Sequence, residues 1–552
     1  MDAIVAAPYG ITRIEKDNDY AESQALDAWL FPVLCDALND YHSIQHGERF
    51  WRIVLGHWFA RYIAVVFNRC KVIEQCLQKY SITGTTLLRD EGYFLAPLDS
   101  NSAIWACNND QWNDALLASI INFGVLNIPV EFIVTDAASE GFRLPVEQTQ
   151  RSYKRELLKW SFSQAEMFSR LLMRENPVFI LDSCLPRKEE LKLKLAFGIF
   201  PFSGSLPALR ITKRADHEIR RKLTEKISDK ENNTLSKLLR SLLFELLPVC
   251  FLEGFAELQD EVKKLQWPEK PQVIFTSNAF DTNERFKLWT AGKVESESKY
   301  ITGQHGSNYG TYRYMYPSIE EVTADRFFTF GWKDGLKGHT PAFVLTTAGK
   351  MNRNYNPDGG LLLIELHASQ RLTVWDDVFC FTQYFADQLA FLQKLQKIPY
   401  KSITIRLHPA YKNLTWVEEE RWQDFDENIK VDKGVLPIRE LVAKSRLVVH
   451  SYDSAGILET LSQNIPTLAF WQNGFDHLRE SAIPYYQILA DAGIIHLSAE
   501  SAAKKVNEVW TDVDGWWTGS EVQDARKLFC GRYARTTRNP VRELKNLLIQ
   551  KL

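Results

Sequence analysis

Four groups of polar residues in this 552-residue chain have the types and spacing needed to hold a phosphorylated ligand and move a group from it. The strand-like run Ser402-Ile403-Thr404-Ile405-Arg406-Leu407 ends in His408-Pro409. Pro409 has no N–H and restricts the residue before it, so the His408 imidazole is aimed in a fixed direction, where its N–H could bind a leaving phosphate. Arg406, two residues earlier, points to the same side of the strand and suits a second anion contact or a buried salt bridge equally well. A second run, Ser445-Arg446-Leu447-Val448-Val449, ends in His450-Ser451-Tyr452-Asp453-Ser454 ahead of a helical pattern. Ligands of open α/β sheets bind beyond the carboxyl ends of the strands, where a helix N-terminus offers unpaired N–H groups to a phosphate. Ser454 is expected to cap the helix from Ala455 to Gln463 while its first N–H groups receive that phosphate.

The third group is the loop Gln304-His305-Gly306-Ser307-Asn308-Tyr309-Gly310, whose glycines permit close backbone approach to a ligand. His305 is a candidate base, since its neutral form suits proton abstraction near pH 7, or else a contact to the donor, and a mere turn histidine is the competing reading. The fourth is Asp281 and Glu284, which follow a strand-like run and are expected at the edge of a cleft, with helix capping as the alternative for Asp281. Asp90 and Glu91 are weaker candidates for acceptor binding. The pair Asp512-Val513-Asp514 has the form of a metal motif, but its place beside Gly515-Trp516-Trp517 beyond the last strand marks it as structural. No cofactor or metal is expected. The eight cysteines are scattered without C-x-x-C spacing, as buried reduced thiols would be.

Elements that could position these groups alternate along the chain. From Tyr20 to Gln78 the apolar residues Trp29, Leu30, Leu34, Phe50, Trp51, Val54, Trp58, Phe59 and Ile63 recur at helical steps, as core-facing helices require. Asn109 has the chemistry of a helix cap. Strand-like runs lie at Pro177 to Asp182, Gln272 to Thr276 and Tyr300 to Gly303, with a charged helical region from Lys213 to Lys264 between them. A second set opens at Leu361 to Ile364, includes the two runs above, and closes at Pro466 to Trp471. Alternation of this kind predicts mostly parallel sheets. The stretch from Met351 to Gly360 reads as the linker between two sheets, and the basic tail from about Glu521 as helices.

Length favours more than one core, and 45% hydrophobic with 12% aromatic residues can fill two. A net charge of −3, from 66 basic and 69 acidic residues, gives no nucleic-acid footprint. The start of the chain lacks the pattern of a secretory signal and no apolar run reaches membrane-spanning length, so a cytoplasmic location is expected.

The segments Gln304 to Gly310, Arg406 to Pro409, His450 to Ser454 through Leu461, and Asp512 to Trp517 together resemble a family of transferases from bacterial surface-carbohydrate loci. More distantly, they resemble GT-B transferases that use CMP-activated ulosonic acids, the β-Kdo and sialic-acid types, and CDP-glycerol polyol-phosphate transferases. The resemblance implies a GT-B fold of two Rossmann-like α/β domains facing a cleft: residues 1–350 on the acceptor side, with a helix-rich N-terminal region, 351–518 for the nucleotide, and 519–552 as helices packing back on the first domain. It also implies a metal-independent glycosyltransferase that moves a Kdo-like or nonulosonic sugar from a CMP-sugar to a surface-glycan acceptor, working at or near the inner membrane surface. Asp281 would be the nucleophile if configuration is retained, while His305, Asp281 or Glu284 would be the base if it is inverted. The nucleotide would be held by Gln304, Gly306, Arg406, His408, His450, Ser451, Tyr452, Asp453 and Ser454, with Glu459 on the ribose. A CDP-polyol phosphotransferase and a non-catalytic scaffold are the alternatives.

Overall fold

The structure is a computed structural model that describes residues 12–89, 94–125, 128–134, 142, 177–199, 208–227, 233–265, 267–315, 317–350, 355–366, 381–409, 411 and 418–550. Asp90, Glu91, Cys380 and residues 351–354 of the expected linker lie outside these.

Two long helices, Arg13–His42 and Glu48–Lys79, open the chain. Glu48–Lys79 is long and apolar enough to cross a membrane, yet most of its apolar stretch is buried against the rest of the protein, with Trp51, Val54, Phe59 and Phe67 in the core. Asn109 caps helix Asp110–Ile120, its side chain accepting the Trp112 N–H at 2.9 Å. A small parallel pair, β1 (Thr85–Arg89) and β2 (Val130–Val134), stands apart. A five-stranded parallel sheet then runs in chain order through β3 (Val178–Ile180), β4 (Val273–Thr276), β5 (Lys299–Gly303), β6 (Arg326–Thr329) and β7 (His339–Pro341).

The second large sheet is built from β8 (Gly360–Ile364), β9 (Ile403–Arg406), β10 (Lys430–Asp432), β11 (Ser445–His450), β12 (Thr467–Phe470) and β13 (Ile495–His496). Its order is β10-β9-β8-β11-β12-β13, all parallel, which is the doubly wound nucleotide-binding order. The order reverses between β8 and β11, and the crevice beyond their carboxyl ends is where such sheets take ligands. The central strands are fully buried runs of Leu and Val, as a sheet covered on both faces requires.

The two sheets share one apolar core. Phe275 and Phe328 of the first sheet, with Phe343 and Leu345 just beyond it, pack in the same cluster as Ala469 and Ile495 of the second and Ile457, Leu458 and Leu461 of helix Ala455–Ser462, together with Trp517, Phe529, Tyr533, Leu544 and Leu548 from the C-terminal helices. Backbone bonds cross between the halves: Arg479 N–H to Thr311 O at 2.8 Å and Arg313 N–H to His477 O at 3.0 Å. This is the two-sheet GT-B arrangement. Asp512 accepts the Gly515 N–H at 2.8 Å and Asp514 accepts the Tyr355 hydroxyl, so both carboxylates of the Asp-x-Asp are used in local structure.

Candidate active site

The carboxyl ends of β4 and β5, the long helix Glu48–Lys79 and the first residue of helix Ala455–Ser462 surround one cavity of about 430 Å³. Helix Glu48–Lys79 presents His57 and Arg61 to it, four residues apart and hence on one face. Arg61 grips Asp281 through both guanidinium nitrogens, Nη1 to Oδ1 at 2.6 Å and Nη2 to Oδ2 at 3.0 Å. Burial opposes ionisation of Asp281, but the Arg61 charge and hydrogen bonds, helped by His57 and Lys287, outweigh it and hold the carboxyl well below its usual range.

The second carboxylate of the cavity is Glu320, on the short helix Ile319–Thr323, whose own carbonyl accepts the Thr302 hydroxyl of β5 at 2.9 Å. Glu320 receives His57 Nε2 at 3.0 Å and the Tyr309 hydroxyl, and Tyr309 in turn meets His305 Nδ1 at 3.1 Å. Burial would raise Glu320, yet the His57 and Tyr309 hydrogen bonds bring it down to about 2. Burial lowers His305, and its neighbours Glu320 and Asp281 only partly reverse this. Phe280 stacks on His57 at 5.2 Å and lies 5.7 Å from His305, so its ring packs against both imidazoles. The loop carrying His305 is locked by Gly310, whose φ of +72° brings its backbone so close to Trp332 that a Cβ would stand 2.5 Å from the indole.

At the far wall, helix Ala455–Ser462 begins without a side-chain cap. The expected Ser454 cap is absent because its hydroxyl meets His450 Nδ1 at 3.2 Å instead. Ser451 and Asp453 fix the turn before the helix. Ser451 Oγ donates to Ile364 O at 2.9 Å, while Asp453 is held by His477 at 3.1 Å and Tyr486 at 3.3 Å. His450 is buried, which pushes its pKa down to about 3, and among the described residues its Nε2 has no hydrogen-bond partner.

Of the sequence candidates, the cavity gathers Asp281, His305 and Gly306, with Ser454 adjoining Ala455. The others stand off it. Glu284 turns inward, accepting the Ser100 N–H at 2.9 Å and pairing with Lys287 at 2.7 Å. Gln304 is committed to loop structure: its Oε1 accepts from Phe330 N–H at 2.8 Å and Trp332 Nε1 at 2.9 Å, and its amide donates to Gly306 O at 2.8 Å. Between the two readings of Arg406, the structure selects the buried salt bridge, to Asp432. His408 is exposed at the end of β9, and neither it nor Tyr452 nor the half-buried Glu459 lines the cavity. His57, Arg61, Tyr309 and Glu320 were not singled out from sequence. His57 and Arg61 interrupt the apolar stretch from Ile53 to Phe67 of that helix at a four-residue step, and that polar pair is the signal the sequence offers. Among the described residues no three His, Cys, Asp or Glu side chains gather as metal ligands.

Two parallel sheets, the second of them doubly wound, with a cavity between their halves that reaches a helix N-terminus, define an α/β protein of the GT-B arrangement. The chain belongs to the LIC12162 family of transferases, which matches residues 3–548. No curated protein matches it. Among solved structures it is similar to S. aureus MnaA in complex with UDP, at 10% identity over 85% of this chain and 98% of that one, with a TM-score of 0.34. WaaG, a glycosyltransferase involved in lipopolysaccharide biosynthesis, is similar at 10% identity over 68% and 100%, TM-score 0.30. The spinosyn rhamnosyltransferase SpnG follows at 11% identity over 53% and 77%, TM-score 0.28. At such scores the architecture rests on the strand order and the shared core described above.

Proposed function

We propose that this transferase moves a sugar from a nucleotide donor to a hydroxyl of a bacterial surface glycan, with His305 as the base. The observation that carries the reading is the single cavity that joins His305 and the Arg61–Asp281 pair to the uncapped start of helix Ala455–Ser462. The helix end suits a donor phosphate, because its first N–H groups have no side-chain partner and its dipole favours an anion. The acceptor oxygen forms a bond to the anomeric carbon as its proton passes to His305, while the bond from that carbon to the phosphate oxygen breaks and its electron pair leaves with the nucleotide. His305 is the better base: burial favours its neutral form, whereas Asp281 is ionised but engaged on both oxygens by Arg61. Asp281 then serves chiefly to hold Arg61 against the donor, and inversion of configuration follows. Residues 1–350 carry the acceptor side, 351–518 the nucleotide, and 519–552 the return helices. The donor class is cytidine-based, a CMP-linked Kdo-like or nonulosonic acid; this part rests on sequence resemblance alone. We place the reaction in the cytoplasm, at or near the inner membrane surface where such acceptors are presented.

Thermal unfolding with millimolar CMP, CDP, UDP, GDP or ADP tests the reading, on the wild type, Arg61→Gln and His408→Ala. A ligand at 100 times its Kd stabilises by about 2.7 kcal/mol, a visible shift in melting temperature. Selective stabilisation by CMP, weakened in Arg61→Gln, supports the cavity and the cytidine donor together. Preference for another nucleotide removes the cytidine donor and keeps sugar transfer. Loss of the response in His408→Ala alone would move the donor site to the end of β9, and no response to any nucleotide would leave a scaffold.

A further inference from the structure

We infer that Tyr309 and Glu320 are positioning residues that hold His305 as its Nδ1–H tautomer and so leave the Nε2 lone pair for the cavity. The inference deepens the reading of His305 as the base and rests on it for its catalytic meaning. Its structural content stands on hydrogen-bond arithmetic. Glu320 is a carboxylate with two donors converging on it, His57 Nε2 at 3.0 Å and the Tyr309 hydroxyl. An ionised carboxylate only accepts, so both neighbours must donate to it. The Tyr309 hydroxyl has one proton, and the contact with Glu320 uses it. Toward His305 Nδ1, 3.1 Å away, the same oxygen can act only as an acceptor, which puts a proton on Nδ1. A neutral imidazole protonated there keeps its lone pair on Nε2.

The chain of donors has a direction, and Glu320 sets it. Were this side chain neutral, the Tyr309 hydroxyl could turn and donate to Nδ1, the ring proton would move to Nε2, and His305 could no longer accept a proton from a bound hydroxyl. The environment keeps Glu320 ionised: it is buried, but His57 and Tyr309 both donate to it. Tyr309 is itself immobilised, its ring packed 5.3 Å from Phe327 and its loop pinned by the Gly310 contact with Trp332.

The test is ¹⁵N NMR of histidine side chains in the full-length protein at pH 7, labelled on histidine, with the His305 signals identified by their loss in His305→Ala. We expect a pyrrole-like Nδ1 and a pyridine-like Nε2 in the wild type. In Glu320→Gln the amide can donate to the Tyr309 oxygen, so the pattern should invert to the Nε2–H form; in Tyr309→Phe the preference for Nδ1–H should be lost. An Nε2–H His305 in the wild type, or a pattern unmoved by both substitutions, overturns the inference. A purely structural role for Tyr309 and Glu320 would lower the melting temperature without moving the tautomer, and the wild-type spectrum alone decides the matter if either variant fails to fold. The nitrogen shifts do not depend on any donor. Failure of nucleotide binding and failure of this inference are therefore separate results.

Discussion

Of the three carboxylates that line the cavity, Asp27, Asp281 and Glu320, the last two are ionised by their partners, and each makes a prediction at the level of a single side chain. Asp281 and Glu320 are both held below the ordinary carboxyl range, the first by Arg61 and the second by His57 and Tyr309, in each case against the effect of burial. A carboxyl whose folded pKa is depressed adds stability that is complete above its unfolded value, about 4, and is lost as pH falls toward the folded one. Glu320→Gln should therefore have a lower urea midpoint than the wild type at pH 7, and the gap should narrow as pH drops from 5 to 3. A gap independent of pH would show that the loss is steric. For Asp281→Asn the cost should be smaller, about 1 kcal/mol, because both partners are more than a quarter exposed and solvent weakens the pair. If His305 is the base, His305→Ala should cut kcat by about 10²–10⁴-fold in a transfer assay while the nucleotide-induced shift in melting temperature is kept.

At the scale of elements, the start of helix Ala455–Ser462 is a tightly packed junction beside the cavity. A Cβ on Gly456 would stand 2.6 Å from the ring of His450, which is buried with little room to yield. Gly456→Ala should cost about 1–3 kcal/mol by overpacking and should also weaken anion binding at the helix end, read by thermal unfolding with and without nucleotide. A neutral or stabilising outcome would mean that the junction relaxes freely. Beyond the end of β8, burial raises Glu365 to about 8, with Glu418 adding to the effect, and burial raises Glu418 to about 7. Among the described residues neither Glu365 Oε1 nor either Glu418 oxygen has a hydrogen-bond partner. A carboxyl raised in the folded state loses stability as pH climbs from its unfolded value toward the folded one. Glu365→Gln should thus be more stable than the wild type at pH 9 and about equal to it at pH 5. Sequence made these elements legible unevenly. Buried apolar runs such as Leu361-Leu362-Leu363 and Val448-Val449 declare central strands, because a strand covered on both faces has no polar side to dilute the pattern. The edge strands β7, β10 and β13 are two or three residues long and carry no such signal.

For the whole molecule, what sequence could not convey is how closely the halves are joined. The contacts of Thr311 and Arg313 with His477 and Arg479 lie more than 160 residues apart in the chain, and nothing local predicts such pairing. The same distance concealed half of the cavity, since His57 and Arg61 arrive from a helix that reads as core while Asp281 and His305 follow strands. The tail joins the halves a second way. Helix Ser520–Tyr533 packs on Ala455–Ser462 and Ile483–Asp491 of the second half, and Pro540–Ile549 packs on Arg187–Ala196 of the first. Interfaces between domains are usually polar and permit motion, but this one is a continuous apolar core, which favours cooperative unfolding. Leu544, fully buried in that core, is the place to test it. Leu544→Ala should cost about 2–5 kcal/mol. Calorimetry should show one transition moved down as a unit, coincident with the change in total tryptophan fluorescence. Two resolved transitions, only one of them shifted by Leu544→Ala, would show instead that the halves fold separately and that the cavity between them opens at low cost.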